Sequence, residues 1–210
     1  MEITWLGYSC FRLRGKNITV VTDPFPPGLG YSLDKISANI VTVSHSHEDH
    51  SYVSAVGGQP KLINRPGEYE IGGALIIGIS AFHDAENGAA LGKNNIYAIE
   101  VDDVTICHLG DLGHPLSSNQ SEELGNIDVL LIPVGGGTTI SAAQAAAIVR
   151  NIEPKIVIPM HYKTPALTKE LDPIDKFLRE MGLTSSEPQP KLNITRANLP
   201  LATQVTVLNV

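Results

Sequence analysis

The chain is poor in cysteine, in basic side chains and in long apolar runs. Only two of its 210 residues are cysteines, Cys10 and Cys107, far apart and in no paired spacing. A disulfide scaffold and a cysteine-based zinc knuckle therefore lose their basis, and a reducing, cytoplasmic setting is expected. Fifteen Lys and Arg stand against 22 Asp and Glu, a formal charge of -7. A general binder of nucleic acid or of an anionic membrane needs a basic surface, which this composition does not supply. The longest apolar segment, 71–79, is interrupted by three glycines and falls well short of the ~20 residues that span a bilayer. The N-terminus, Met1-Glu2-Ile3-Thr4-Trp5, shows no basic stretch followed by an apolar run, so neither secretion nor membrane insertion is expected. The Asn-x-Ser/Thr triplets at Asn17, Asn119 and Asn193 are then not glycosylation sites.

What is present is enough apolar material, 42% of the chain, for one ordinary core and a single domain spanning 1–210. Short apolar runs bounded by turn residues predict strands at 3–6, 10–13, 18–21, 40–43, 61–64, 74–79, 95–101, 104–108, 129–133 and 156–158, with a last one at 205–208. Gly15-Lys16-Asn17 suits a hairpin turn. Asp23 to Gly28 holds three prolines and must be a loop. Ser141 caps a predicted helix over 142–150. Asp172-Pro173 opens another over 174–181, closed by Gly182. Many strands with few, late helices indicate an α/β or α+β sandwich built on mixed sheets.

Histidine is the unusual component. Seven occur, and three of them fall in His45-Ser46-His47-Glu48-Asp49-His50, directly after the apolar run ending at Ser44. Alternation along an extended start puts His45 and His47 on one side, and a turn can bring Asp49 and His50 round to an adjacent point. Three imidazoles and a carboxylate in that order suit two neighbouring divalent ions better than one. The alternative is a polar, solvated loop.

This motif resembles that of the metallo-β-lactamase superfamily of metal-dependent hydrolases. The other marks of that family follow in order: Thr22-Asp23-Pro24, Ala81-Phe82-His83-Asp84, His108-Leu109-Gly110-Asp111 and Pro159-Met160-His161-Tyr162. The likeness runs from Gly7 to about Tyr162 and is greatest to the branch containing ascorbate-6-phosphate lactonase and N-acylphosphatidylethanolamine phospholipase D-like enzymes. It implies a four-layer αβ/βα sandwich of two mixed sheets flanked by helices, with the site at one edge. It also implies one metal on His45, His47 and His83, a second on Asp49, His50 and His161, and Asp111 bridging them. His108 competes with His83 for the third position on the first metal. Asp23 either accepts the free ring N–H of a ligand histidine or merely starts the Asp-Pro turn.

The expected function is a dinuclear metal-dependent hydrolase acting through a metal-bridging hydroxide on a small, anionic ester, lactone or phosphodiester. Asp49 would orient the hydroxide or accept its proton. His114 is the first candidate to protonate the leaving group, with Tyr162 and Lys163 behind it. With imidazole and carboxylate donors alone, zinc is the first expectation, and manganese and iron are compatible. A nuclease or phosphodiesterase of the superfamily acting on nucleic acid, and a non-catalytic metal-binding protein of the same fold, are the alternatives. The expected partner is a small molecule, not nucleic acid or a membrane; a homo-oligomer is allowed. The glycines of Gly135-Gly136-Gly137 permit close approach of backbone N–H groups to an anion. Loops 24–34 and 86–93 are expected to shape the pocket, and 65–70 to be a turn.

Overall fold

A computed structural model of the chain describes residues 1–33 and 35–210; Asp34, which ends the first pocket loop, lies outside the described residues. The N-terminal half opens with β1 (Glu2–Gly7), β2 (Cys10–Arg14), β3 (Thr19–Thr22), β4 (Ile40–Thr42) and β5 (Lys61–Ile63). The chain then crosses to β6 (Gly67–Ile71), β7 (Ala74–Phe82), β8 (Lys93–Val101) and β9 (Val104–His108). Helix α1 (Ser118–Leu124), β10 (Val129–Pro133), α2 (Ala142–Ile152), β11 (Ile156–Met160) and α3 (Asp175–Glu180) follow. The last strands, β12 (Leu192–Asn193) and β13 (Gln204–Val205), return one to each sheet.

Two mixed sheets result. The six-stranded one runs β12-β1-β2-β3-β4-β5 and the seven-stranded one β13-β11-β10-β9-β8-β7-β6. β1, β2 and β3 pair antiparallel, the last two joined by a tight turn where the Gly15 N–H donates to Ile18 O at 2.8 Å. β3, β4 and β5 are parallel. In the second sheet β10 and β11 are parallel and buried at every position. A central strand covered on both faces needs no alternation, which is why Val129-Leu130-Leu131-Ile132 reads as one apolar run.

The inner faces of both sheets share one core, to which Phe11, Leu13, Val20 and Ile40 contribute from the first and Ile76, Ile96, Ile99 and Ile106 from the second. Alternate residues of the first sheet, Cys10, Val21 and Val41, point the other way into a smaller cluster with Phe25, Leu29, Ile36 and Val56. Over this outer face the covering layer is made of loops and one 3₁₀ turn, Val53–Ala55. The α-helices gather on the second sheet, α1 against β7, α2 against β10 and α3 against α2. Both α1 and α2 start with capping boxes, Ser117 with Gln120 and Ser141 with Gln144.

One expectation needs correction, and one helix escaped the sequence reading. Residues 67–71 form β6, an edge strand joined to β7 by Gly72-Gly73, both in the left-handed region; paired positive-φ residues make the hairpin turn that matches strand twist. Helix α1 was hidden by its polar sequence, which has no apolar periodicity; its capping box and Gly125 were its available signals. No helix among the described residues is long and apolar enough to cross a membrane.

Candidate metal centre

Strand ends converge where the two sheets meet. β4 runs into Ser44, whose carbonyl accepts the backbone N–H of Asn95 at 2.8 Å and its Nδ2–H at 2.9 Å. Tyr97, also on β8, donates its hydroxyl to Val43 O at 3.0 Å. The second sheet thus holds the start of the histidine motif on the first. The motif then turns back, with the His50 N–H on His47 O at 3.0 Å. His83 follows β7, Asp111 follows β9, and His161 follows β11.

Three left-handed residues occur here: Tyr8 (φ 56°), Asp23 (φ 38°) and His161 (φ 52°). Such backbone is costly for residues other than glycine and persists only where the surroundings impose it. The bonds imposing it are visible. The Asp23 N–H donates to Thr42 O at 2.9 Å, and the His161 N–H to Tyr8 O at 3.0 Å.

Besides Asp23, His45 and His50, which are linked by hydrogen bonds directly or through Ser44, two further donor groups form. In one, ring nitrogens of His45, His47 and His83 come together; in the other, His50, Asp111 and His161, with the atoms of each group within 4.8 Å of one another. Asp111 Oδ2 lies between them, 3.2 Å from His50 Nε2, 3.4 Å from His83 Nε2 and 3.2 Å from His161 Nε2. Its backbone N–H is fixed by Asn94 Oδ1 at 3.0 Å. Asp49 stands at the rim, 3.9 Å from His50 Nε2, with its Oδ2 paired to Lys169.

The hydrogen bonds behind the rings determine which nitrogen carries a proton. Asp23, fully buried, accepts the Ser44 N–H at 2.8 Å on one oxygen, and the Ser44 hydroxyl at 2.5 Å and His50 Nδ1–H at 3.0 Å on the other. Having spent its single proton on Asp23, the Ser44 hydroxyl accepts from His45 Nδ1–H at 2.8 Å. His83 Nδ1–H donates to Thr138 O at 3.2 Å. When each ring carries a single proton, all three are left with an unprotonated Nε2, and the Nε2 atoms of His45 and His50 are buried with no hydrogen-bond partner. So is His161 Nδ1. The unpartnered Nε2 atoms of His45 and His50, with Asp111 3.2 Å from the latter, fit a divalent cation. Asp23 is thus both a turn residue and the acceptor behind two rings.

Electrostatics follow from this packing. Burial and the nearby His50 push His45 down to about 3. Burial alone would lower His50, but Asp111 and Asp23 outweigh it and raise it to about 10. Asp111 is held well below the usual carboxylate range because His161 and His50 overcome the effect of its burial. Asp49 is likewise held at about 2, burial being outweighed by His50 and Lys169.

The other sequence candidates are placed differently. His108 lies buried beneath the site with both nitrogens occupied, donating to Ser9 O at 2.8 Å and accepting the Gly110 N–H at 3.2 Å. His114 is also spent on backbone: it accepts the Phe82 N–H at 3.1 Å and donates to Pro115 O at 2.7 Å. Neither nitrogen is free for a leaving group. Tyr162 stacks on Trp5, and Lys163 donates to its own loop. Gly135 serves packing: a Cβ there would lie 2.2 Å from His161 O, and one at Gly113 would lie 2.4 Å from His83 O.

Three contributors escape a reading by motif. The Tyr8 hydroxyl lies 2.8 Å from His161 Nε2, and Lys169 reaches Asp49 and the Tyr8 hydroxyl. Asp84 accepts four backbone N–H groups, from Glu86, Gly88, Ala90 and Leu91, at 2.7–3.0 Å. It thereby ties down the pocket loop that follows His83.

Residues 2–161 match the beta-lactamase superfamily domain. A UPF0173 metal-dependent hydrolase of Methanopyrus kandleri is 28% identical over 87% of this chain and 94% of its own. A UPF0173 protein of Pyrococcus furiosus is 30% identical over 86% and 90%. Among solved structures, a Thermotoga maritima protein described as a Zn-dependent hydrolase of the metallo-beta-lactamase superfamily superposes with a TM-score of 0.81 at 38% identity, covering 99% of this chain and 97% of the other. An isothiocyanate hydrolase from Delia radicum gut bacteria shares the fold alone, with a TM-score of 0.72 at 13% identity over 93% and 99% of the two chains. With its convergent histidines, central Asp111 and two mixed sheets, this chain belongs to the metallo-β-lactamase superfamily of metal-dependent hydrolases.

Proposed function

We propose that the protein is a dinuclear hydrolase of a small, anionic ester, lactone or phosphodiester. His45, His47 and His83 would hold one ion, and Asp49, His50 and His161 the other, with Asp111 shared. The observation that supports this most is the position of Asp111 Oδ2, within 3.4 Å of histidines from both groups. His108 is set aside as a ligand because neither of its nitrogens is free. Imidazole and carboxylate donors make zinc the first choice, with manganese and iron compatible. Two such ions, when bound, would supply a hydroxide at neutral pH and polarise a carbonyl or phosphoryl oxygen.

The protein's part is orientation. Asp23 and Ser44 fix two rings and Thr138 a third, and Asp49, half-buried beside His50, would accept a proton from an attacking water. Metal content and turnover of chromogenic lactones and phosphodiesters, compared for the wild type and Asp111→Asn, test the reading. Two ions per chain and activity lost in the variant are expected. Far less than two ions with no rescue by zinc or manganese, or equal rates in both proteins, would overturn it.

A further inference from the structure

Lys169 lies outside every motif, yet it is the one Lys or Arg among the described residues that bonds a predicted ligand. Its ammonium pairs with Asp49 Oδ2, donates to the Tyr8 hydroxyl at 3.2 Å and sits 5.3 Å from the Tyr8 ring centroid. An ammonium has three N–H donors. Two are engaged here, and the side chain is 44% exposed, so one donor remains for a group arriving from solution.

The residue is held in place from both sides. Lys163 donates to Leu167 O at 3.1 Å and to Lys169 O at 2.9 Å. The Thr168 N–H donates to Leu29 O at 3.1 Å, and its hydroxyl to Gly28 O at 3.2 Å. At Gly30 the two loops approach so closely that a Cβ would lie 1.7 Å from Ala166 O. Residues 163–172 are therefore a strap docked on loop 24–31, and Lys169 is carried to the rim with its backbone already ordered. Ordering of this kind lowers the cost of binding.

We propose that Lys169 is a specificity-determining residue that binds an anionic oxygen, phosphate or carboxylate, of the substrate beside the bond to be cleaved. The assignment rests on the hydrolase reading above and deepens it. Asp49 and Tyr8 hold the ammonium at the rim, and an oxygen next to the reacting centre completes its donor set. An ammonium held at the rim, with a donor to spare, favours anions over neutral analogues.

The test uses the full-length protein as purified and inorganic phosphate as the probe. Phosphate affinity is measured by calorimetry for the wild type, Lys169→Met and Lys169→Arg, and metal content is determined on the same samples. Lys169→Met is expected to weaken phosphate binding about tenfold or more, with Lys169→Arg within a few-fold of wild type. Equal affinity in Lys169→Met and the wild type would overturn the assignment. So would an equal loss in the Arg and Met variants, since that would make side-chain shape rather than charge decisive. The metal count reports separately on the dinuclear reading: a low count with the Lys169 effect intact refutes that reading and not this one.

Discussion

Replacing Asp23 by asparagine is the sharpest perturbation of the centre, because it keeps the volume and changes only which atoms carry protons. The carboxylate accepts three bonds, from the Ser44 N–H, the Ser44 hydroxyl and His50 Nδ1. An amide that keeps its oxygen on the Ser44 N–H presents an NH₂ to the other two. His50 must then accept at Nδ1 and move its proton to Nε2. The Ser44 hydroxyl, now an acceptor from that NH₂, turns its own proton to His45 Nδ1, and His45 also moves its proton to Nε2. Both nitrogens that were bare become N–H groups, and one substitution damages two donor groups. The flipped amide sets NH₂ against the Ser44 N–H, an unmet buried donor costing ~1–3 kcal/mol. Loss of the partner behind a ligand histidine weakens metal binding about 10- to 100-fold, or ~1.4–2.8 kcal/mol. Competition with a chromogenic chelator measures the affinity, and ¹⁵N shifts of the imidazoles report the tautomers. Unchanged metal affinity, with His45 and His50 still protonated at Nδ1, would refute the reasoning.

Two further perturbations separate packing from chemistry. Gly135→Ala forces a Cβ onto the backbone of His161 and Tyr162; such overpacking costs ~1–3 kcal/mol, a fall of roughly 3–10 °C in Tm for a chain of this size. Gly57→Ala, which meets only an ordinary 3.5 Å contact with Ile36 O, is the control, and equal melting of both variants would count against the close approach. Asp84→Asn leaves one accepting oxygen for four N–H groups. Amide exchange of Glu86, Gly88, Ala90 and Leu91 is expected to accelerate several-fold while β10 keeps its protection; unchanged exchange in the loop would show that Asp84 does not hold it.

Much of the fold and of the donor set was legible because both rest on local pattern. Strands ending at Thr42, Phe82, His108 and Met160 lead into candidate donors, and a run of apolar residues followed by His or Asp is visible in the sequence. The supporting layer was not. The Ser44 hydroxyl matters only because Asp23, distant in the sequence, comes within hydrogen-bonding range. Tyr8 and Lys169 meet Asp49 and His161 only once both halves of the chain are assembled. His114 illustrates the converse: its proximity in sequence to Asp111 suggested a chemical role, and two backbone partners take up both its nitrogens. The glycines of 135–137 looked suited to an anion, but Gly135 is used to let His161 close against its neighbour strand.

The bond from the His161 N–H to Tyr8 O joins residues 153 positions apart in the chain. During synthesis, the motif at 45–50 emerges from the ribosome long before His161 and the strap bearing Lys169 exist. A nascent chain can therefore offer scattered imidazoles to a cation, but not the closed cage. Closure awaits β11, whose place beside β10 delivers His161 opposite Tyr8. Contacts so distant in sequence form late, and a site made from them ties capture of the ion to completion of folding. A chain cut short before β11 would keep the recognisable motif and lack the centre.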